Sequence, residues 1–151
     1  MNPLIIGIFS FATMELVSYL AHRYVYHGIG WVFHRSHHTR REGIFELNDI
    51  FPMIFSVIAI SLMLWGFEAD ADEVVAAAIG VSAYGMIYFI IHDLYIHRRA
   101  KWLSLRIPFL LEVKKAHAIH HKYGGEPFGL LLFFRKDEVR NQQDISHETV
   151  V

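Results

Sequence analysis

IFPMIFSVIAISLMLWGF (50–67) and VVAAAIGVSAYGMIYFII (74–91) are two uncharged runs of 18 residues. The six residues between them carry four acids: Glu68, Asp70, Asp72 and Glu73. Each run approaches the roughly 20 apolar residues that cross a hydrocarbon core about 30 Å thick. A third run, Leu4 to Ala21, is interrupted only by Glu15. Three such helices would occupy more than a third of a chain of 151 residues. That share is too large for the buried core helices of a small soluble domain. The sequence therefore predicts an all-α, integral membrane bundle with three spans. Residues 1–3 hold no Lys or Arg, and no small-residue cleavage pattern follows the first run. It reads as a retained helix rather than a signal peptide.

Charge sets the orientation. Residues 22–41 carry Arg23, Arg35, Arg40 and Arg41 with no acid. Residues 98–122 carry seven Lys and Arg against Glu112 alone. Short loops rich in Lys and Arg stay on the cytoplasmic side. Both basic segments are expected there, and the acidic 66–73 loop on the other face of the cell inner membrane. The chain reads as a single domain, 1–151, with a frayed polar tail over 135–151. Leu103–Val113 and Pro127–Phe134 are apolar but short. They lie at the interface, pack beneath the bundle, or make a broken fourth crossing.

Composition narrows the chemistry. Hydrophobic residues make up 54% and charged residues 19%, with a mean hydropathy of +0.30. The absence of cysteine excludes disulfides, thiolate zinc sites and a cysteine nucleophile. A net charge of −1 does not suit a nucleic-acid binder.

Histidine is the outlying residue type, with 11 copies. Ten fall into four boxes: His22-x4-His27, His34-x2-His37-His38, His92-x4-His97 and His117-x2-His120-His121. His147 stands apart in the tail and reads as solvated surface. The boxes form an internal repeat, each half being apolar helix, H-x4-H, connector, H-x2-HH. This suggests two facing half-sites of five imidazoles, one from each half of the chain, on the cytoplasmic side.

On an α-helix, positions i, i+3 and i+4 fall within an arc of about 100°, so each H-x2-HH box can point one way. Positions i and i+5 are about 140° apart. His22 and His27 are then not expected to chelate one ion from a regular helix. They would reach two ions, or the helix would loosen at Gly28. Ten imidazolium ions would repel one another, whereas neutral rings sharing cations would not. Ten ligands exceed one coordination sphere, so two ions are implied. Imidazole suits iron, zinc, copper and nickel. The Glu-x-x-His pairs of soluble di-iron bundles are missing. Zinc hydrolysis needs fewer ligands and usually a carboxylate base. Two irons working with O2 fit better, on a membrane face where an apolar substrate can arrive.

The order of boxes resembles the fatty-acid hydroxylase superfamily and, within it, the β-carotene hydroxylases. The similarity runs through MELVSYLAHRYVYHG (14–28), WVFHRSHH (31–38), FELNDIF (45–51), YGMIYFIIHDLYIHRR (84–99) and KKAHAIHHKYG (114–124). It covers roughly residues 14–134. The boxes are superfamily-level signals, and the FELND and YGMIYFIIHD stretches are more specific. The resemblance implies a non-haem di-iron monooxygenase that hydroxylates C3 of the β-ionone rings of β-carotene, giving β-cryptoxanthin and zeaxanthin. Its implied partners are a donor such as ferredoxin, an NAD(P)H-dependent reductase and the lipid bilayer. The alternatives are hydroxylation or desaturation of a sterol or fatty acyl chain, and a non-enzymatic metal transporter or sensor.

Three carboxylates invite a role beside the metal ligands. Glu15 lies two helical turns before His22, Asp93 follows His92, and Asp49 follows the first half-site. Each could orient a ligand imidazole through its second nitrogen. For Glu15 a structural hydrogen bond to another helix is the competing reading. Ala76, Gly80 and Ala83 put small residues on one face of the third span, suited to close helix packing or to a slot for a polyene.

Charge asymmetry makes the topology testable. Reporter fusions at Asp70 and at Arg99 are expected to give opposite sidedness, and equal sidedness would refute the three-span arrangement.

Overall fold

The computed structural model describes residues 2–39 and 43–131. Arg40, Arg41, the 135–151 tail and His147 lie outside the described residues. Among those described, every regular element is helical. Helix α1 spans Pro3–Leu20 and continues as a π-helix over Ala21–Ile29. Asn2 caps it by accepting from the Leu4 N–H at 2.9 Å, and Pro3 occupies the first turn, where no intrahelical N–H is needed. A single turn, α2 (Trp31–His34), runs into a 3-10 turn, Arg35–His38. A second 3-10 turn, Leu47–Asp49, opens α3 (Ile50–Glu68). After a tight reversal, α4 (Asp72–Tyr88) continues as a π-helix over Phe89–Ile96. The last described helix is α5 (Pro108–Tyr123).

Three continuous helices, Pro3–Ile29, Leu47–Glu68 and Asp72–Ile96, are long and apolar enough to cross a bilayer. They contain the three runs read from the sequence. Leu4, Ile8, Phe9, Met53, Val57 and Leu64 are all exposed on their outer faces. Such a surface is unfavourable in water and ordinary against lipid. All ten box histidines sit at one end of the bundle, opposite the acidic reversal at 69–71.

Helix α4 is central, packed on both α1 and α3. Its contact with α1 is backbone to backbone. A Cβ built on Gly80 would stand 2.2 Å from the Gly7 carbonyl oxygen and 3.0 Å from the Phe11 amide nitrogen. Gly80 therefore serves helix packing, and the slot imagined on its face is filled by α1. Glu15 ties the same helices together. Its carboxylate accepts from Tyr84 Oη (2.7 Å) and from the N–H groups of Leu130 (3.1 Å) and Leu131 (2.8 Å). A buried acid in a span is thus satisfied by one hydroxyl and two amides. The described part of 103–134 forms α5 and a returning segment, with no fourth span-length apolar helix among the described residues. Leu110, Val113 and Leu130 pack there with Tyr95 and Ile96.

Because the obstruction at Gly80 is backbone, no rotamer change can relieve it. Gly80→Ala is expected to cost about 1–3 kcal/mol through overpacking. In detergent its thermal midpoint should fall by several degrees. Gly85→Ala should show no such loss, since a Cβ there meets nothing within 4 Å. Equal midpoints for the two variants would refute the close α1–α4 approach.

Candidate metal centre

The two H-x4-H boxes lie in the two π-helical segments. A π-helix closes its hydrogen bonds from i to i+5, so the fifth residue returns to nearly the same side. Gly30 N–H donates to Val25 O at 2.7 Å, and His97 N–H donates to His92 O at 2.9 Å. The rings of His22 and His27 are consequently 5.0 Å apart, and those of His92 and His97 4.6 Å apart. Of the two expectations for His22 and His27, separate ions or a helix that loosens at Gly28, the structure shows the second: Gly28 is non-helical (φ −105°, ψ −117°) within the π-helix, and both rings join one cluster.

The ten imidazoles gather into two neighbouring clusters. In the first, one nitrogen from each of His22, His27, His34, His38 and His120 lies within 4.8 Å of every other. The second unites His37, His92, His97 and His117 in the same way. His121 flanks the second cluster, 4.5 Å from His117 and 4.7 Å from His97 between ring centres. It also stacks on His38 at 4.2 Å. The two half-sites are therefore not each built from one half of the chain. His37 crosses to the cluster of the second half, and His120, its counterpart in the repeat, crosses to that of the first. The first H-x2-HH box is split between a turn of α-helix and a 3-10 turn. The second box splits in the same way on the regular helix α5, so the middle imidazole of each box joins the other cluster with or without a break. In α5 the helix ends at Gly124, which adopts φ +72°, a left-handed conformation that favours glycine. The chain then turns back so that His120 Nδ1–H donates to Gly125 O at 2.5 Å.

Five rings are held from behind through Nδ1. His22 donates to Phe128 O (2.8 Å), His34 to Asn48 Oδ1 (2.7 Å) and His120 to Gly125 O. His37 donates to Glu46 Oε2 and His92 to Asp93 Oδ2, each at 3.1 Å. These partners can only accept, so the proton sits on Nδ1 and the Nε2 lone pair is bare. The bare nitrogens face one another. His22 Nε2 is 3.1 Å from His34 Nε2, and His37 Nε2 is 3.2 Å from His92 Nε2. Neither contact can be a hydrogen bond between neutral rings, because both atoms are acceptors. A further orphan is His121 Nε2, buried without a hydrogen-bond partner among the described residues.

Protonation does not resolve the conflict. Burial pushes His34 and His120 down to about 3 and His121 to about 2. His37, His97 and His117 are likewise held far below the ordinary imidazole range, first by burial and then by neighbouring imidazoles. These six rings are neutral at physiological pH and present lone pairs. Each buried acceptor left without a partner costs about 1–3 kcal/mol, against a typical total stability of about 5–15 kcal/mol. A shared cation removes the conflict. Two imidazole nitrogens about 2.1 Å from one ion, at roughly a right angle, are about 3 Å apart. The donor set fits metal, one ion per cluster.

Of the three carboxylates singled out in the sequence, Asp93 meets a histidine, and it is its own neighbour His92. Asp49 instead receives two hydrogen bonds from Arg99 (2.6 and 3.1 Å) and one from the Glu46 N–H (3.0 Å). Glu15 makes the inter-helix bonds described above. Sequence reading did not single out Glu46, Asn48 or Arg99. Arg99 draws the acids together, with Nε 3.2 Å from Asp93 Oδ1 and Nη2 3.6 Å from Glu46 Oε2. The signal for Glu46 and Asn48 lies in the FELND stretch, which carries the family resemblance without showing what each residue does.

A cavity of about 410 Å³ lies between α3 and α4, with part of α1 behind it. Its walls include Phe51, Phe55, Tyr84 and Tyr88, and its inner end reaches Asn48, Asp93, His34 of the first cluster and His92 of the second.

Comparisons with known proteins give the family. The fatty acid hydroxylase family model matches residues 7–139. A protein named beta-carotene hydroxylase from Pseudescherichia vulneris is 40% identical over 126 residues, covering 82% of this chain and 70% of that protein. One of the same name from Pantoea ananas is 38% identical over 125 residues, covering 78% and 70%. A chloroplastic beta-carotene 3-hydroxylase from Arabidopsis thaliana is 36% identical over 142 residues, covering 89% of this chain but 47% of the relative. No solved structure matches the chain. With most of its length matched, the chain belongs to the fatty acid hydroxylase family and is a hydroxylating enzyme.

Proposed function

We propose that the protein is a membrane monooxygenase that hydroxylates C3 of the β-ionone rings of β-carotene, giving β-cryptoxanthin and then zeaxanthin. The observation that carries this reading is the apolar cavity whose inner end touches one histidine of each cluster. The names of the relatives supply the substrate class. All ten box histidines are assigned to two iron ions, the first cluster holding one and the second, with His121, the other. When bound, the irons supply reductive activation of O2: one oxygen atom enters a C–H bond, and the other leaves as water after two electrons and two protons are delivered.

The chain's own residues do the rest. Asn48, Glu46, Asp93 and the carbonyls of Phe128 and Gly125 keep the protons on Nδ1, so that Nε2 remains a ligand. Arg99 balances the charge of Glu46, Asp49 and Asp93. The aromatic walls hold an apolar ring near the metals and keep water from it. A ferredoxin-type donor, reduced from NAD(P)H, delivers electrons from the cytoplasmic side, where the basic segments and the histidines lie together.

Expression in a bacterium that accumulates β-carotene tests the reaction. Hydroxylated carotenoids should appear in its pigments, and the purified protein should carry two irons per chain. Unchanged pigments with product from a sterol or acyl lipid would move the substrate assignment. Weakly held zinc or nickel in place of iron would refute the oxygenase.

The exchanged histidines make a sharper prediction. His37→Ala and His120→Ala each remove a ligand that one half of the chain lends to the other. Each should lower iron content and cut hydroxylation at least tenfold while the protein still inserts in the membrane. His147→Ala should match wild type in both. Full iron and turnover in either box variant would remove that residue from the centre.

A further inference from the structure

Several residues that line the cavity are exposed on the outer surface of α3 and α4, so it opens sideways between these helices. On α4, Ser82 and Gly85 stand on its lip, and on α3 Pro52 and Ser56 stand opposite, all exposed. Elsewhere the lipid-facing surface of α3 carries large side chains: Met53 is 65% exposed, Val57 63% and Leu64 64%. Exposed Ile60, Met86 and Phe89 also line the groove, so its edge is low only where Ser56, Ser82 and Gly85 stand. Gly85 is the position where nothing intrudes, for a Cβ built there meets no atom within 4 Å. The Ser56 hydroxyl is turned inward to its own helix, donating to Pro52 O at 2.8 Å. The Ser56 O–H is thus not free to donate to a ligand. From Ile60 to Phe51 the wall of α3 runs nine residues, about 13 Å along the axis. The groove reaches from mid-span to the histidine end.

We propose that this groove is a lateral port: an elongated hydrocarbon slides in from the bilayer between α3 and α4, and Gly85 sets the width of the opening. Only the reacting end of the substrate need lie within the protein, against His34 and His92. The rest stays in lipid, its own solvent, and need not be desolvated a second time. The proposal rests on the oxygenase reading above for the chemistry at the inner end, but the port is defined by geometry alone.

The chain has no cysteine, so Gly85→Cys gives a single thiol at the lip. The metal-loaded variant is placed in phosphatidylcholine vesicles and treated with pyrene maleimide, which partitions into lipid. The pyrene adduct should hydroxylate at least tenfold more slowly than the same variant unlabelled, with its iron retained. β-Carotene in the vesicles should slow labelling severalfold. Val57→Cys, on lipid-facing α3 away from the groove, should label without loss of turnover and without protection. An adduct at Gly85→Cys that turns over as fast as the unlabelled variant would overturn the port. So would labelling that β-carotene, a sterol and a fatty acid all fail to slow. Protection by the sterol or the fatty acid but not by β-carotene would uphold the port and overturn the carotenoid assignment instead.

Discussion

Opposed lone pairs govern this molecule. Once an oxygen behind each of these rings accepts from Nδ1–H, His22 and His34 face each other through two acceptors 3.1 Å apart, and His37 and His92 through two at 3.2 Å. In a buried place that arrangement is costly, and a shared cation between the rings removes the cost. Much of the surrounding structure follows from holding it. The 3-10 turn at Leu47–Asp49 exists to deliver Glu46 and Asn48 to the backs of His37 and His34, and it is itself fixed by mutual capping between Glu46 and Asp49. The segment after α5 brings two carbonyls to His22 and His120, and Glu15 on α1 anchors its far end.

The two clusters are not independent modules. Each takes one imidazole from the other half of the repeat, so neither is complete until α2 and its 3-10 turn have met α5. Interleaving also ties the histidine clusters to the membrane packing. The His22 and His92 ends of the site continue directly from α1 and α4, which touch backbone to backbone at Gly7 and Gly80. A shift of one span against the other would change the spacing of the two clusters. Arg99 adds an electrostatic tie, drawing acids from the α3 entrance and the α4 exit onto one guanidinium.

Burial is distributed as a membrane enzyme requires. The spans expose their large apolar residues outward to lipid and reserve buried polarity for Glu15 and the histidine end. The groove between α3 and α4 joins the two environments, apolar along its walls and ending on imidazole. An apolar substrate can therefore meet a polar centre without passing through water.

The spans, the all-helical class, the four histidine boxes and the repeat were legible in the sequence, because each depends on local chemistry: unbroken apolar length, side-chain type and spacing. The family resemblance could be read from the same residues. The interleaving could not. Spacing keeps the three imidazoles of an H-x2-HH box within one arc, but on the 3-10 turn and on regular α5 alike the middle ring joins the other cluster, and only the segment facing it decides that. The same holds for His22 and His27, whose five-residue spacing looks wrong for chelation until the backbone widens to a π-helix. Glu46, Asn48 and Arg99 were hidden for a different reason. A hydrogen bond from the second nitrogen of a ring leaves no periodic trace, since its partner comes from wherever the fold brings a chain past. Gly80 and Gly85 make the point most simply. Five residues apart on one helix, they read alike in sequence, and only packing assigns one to a helix contact and the other to an open groove.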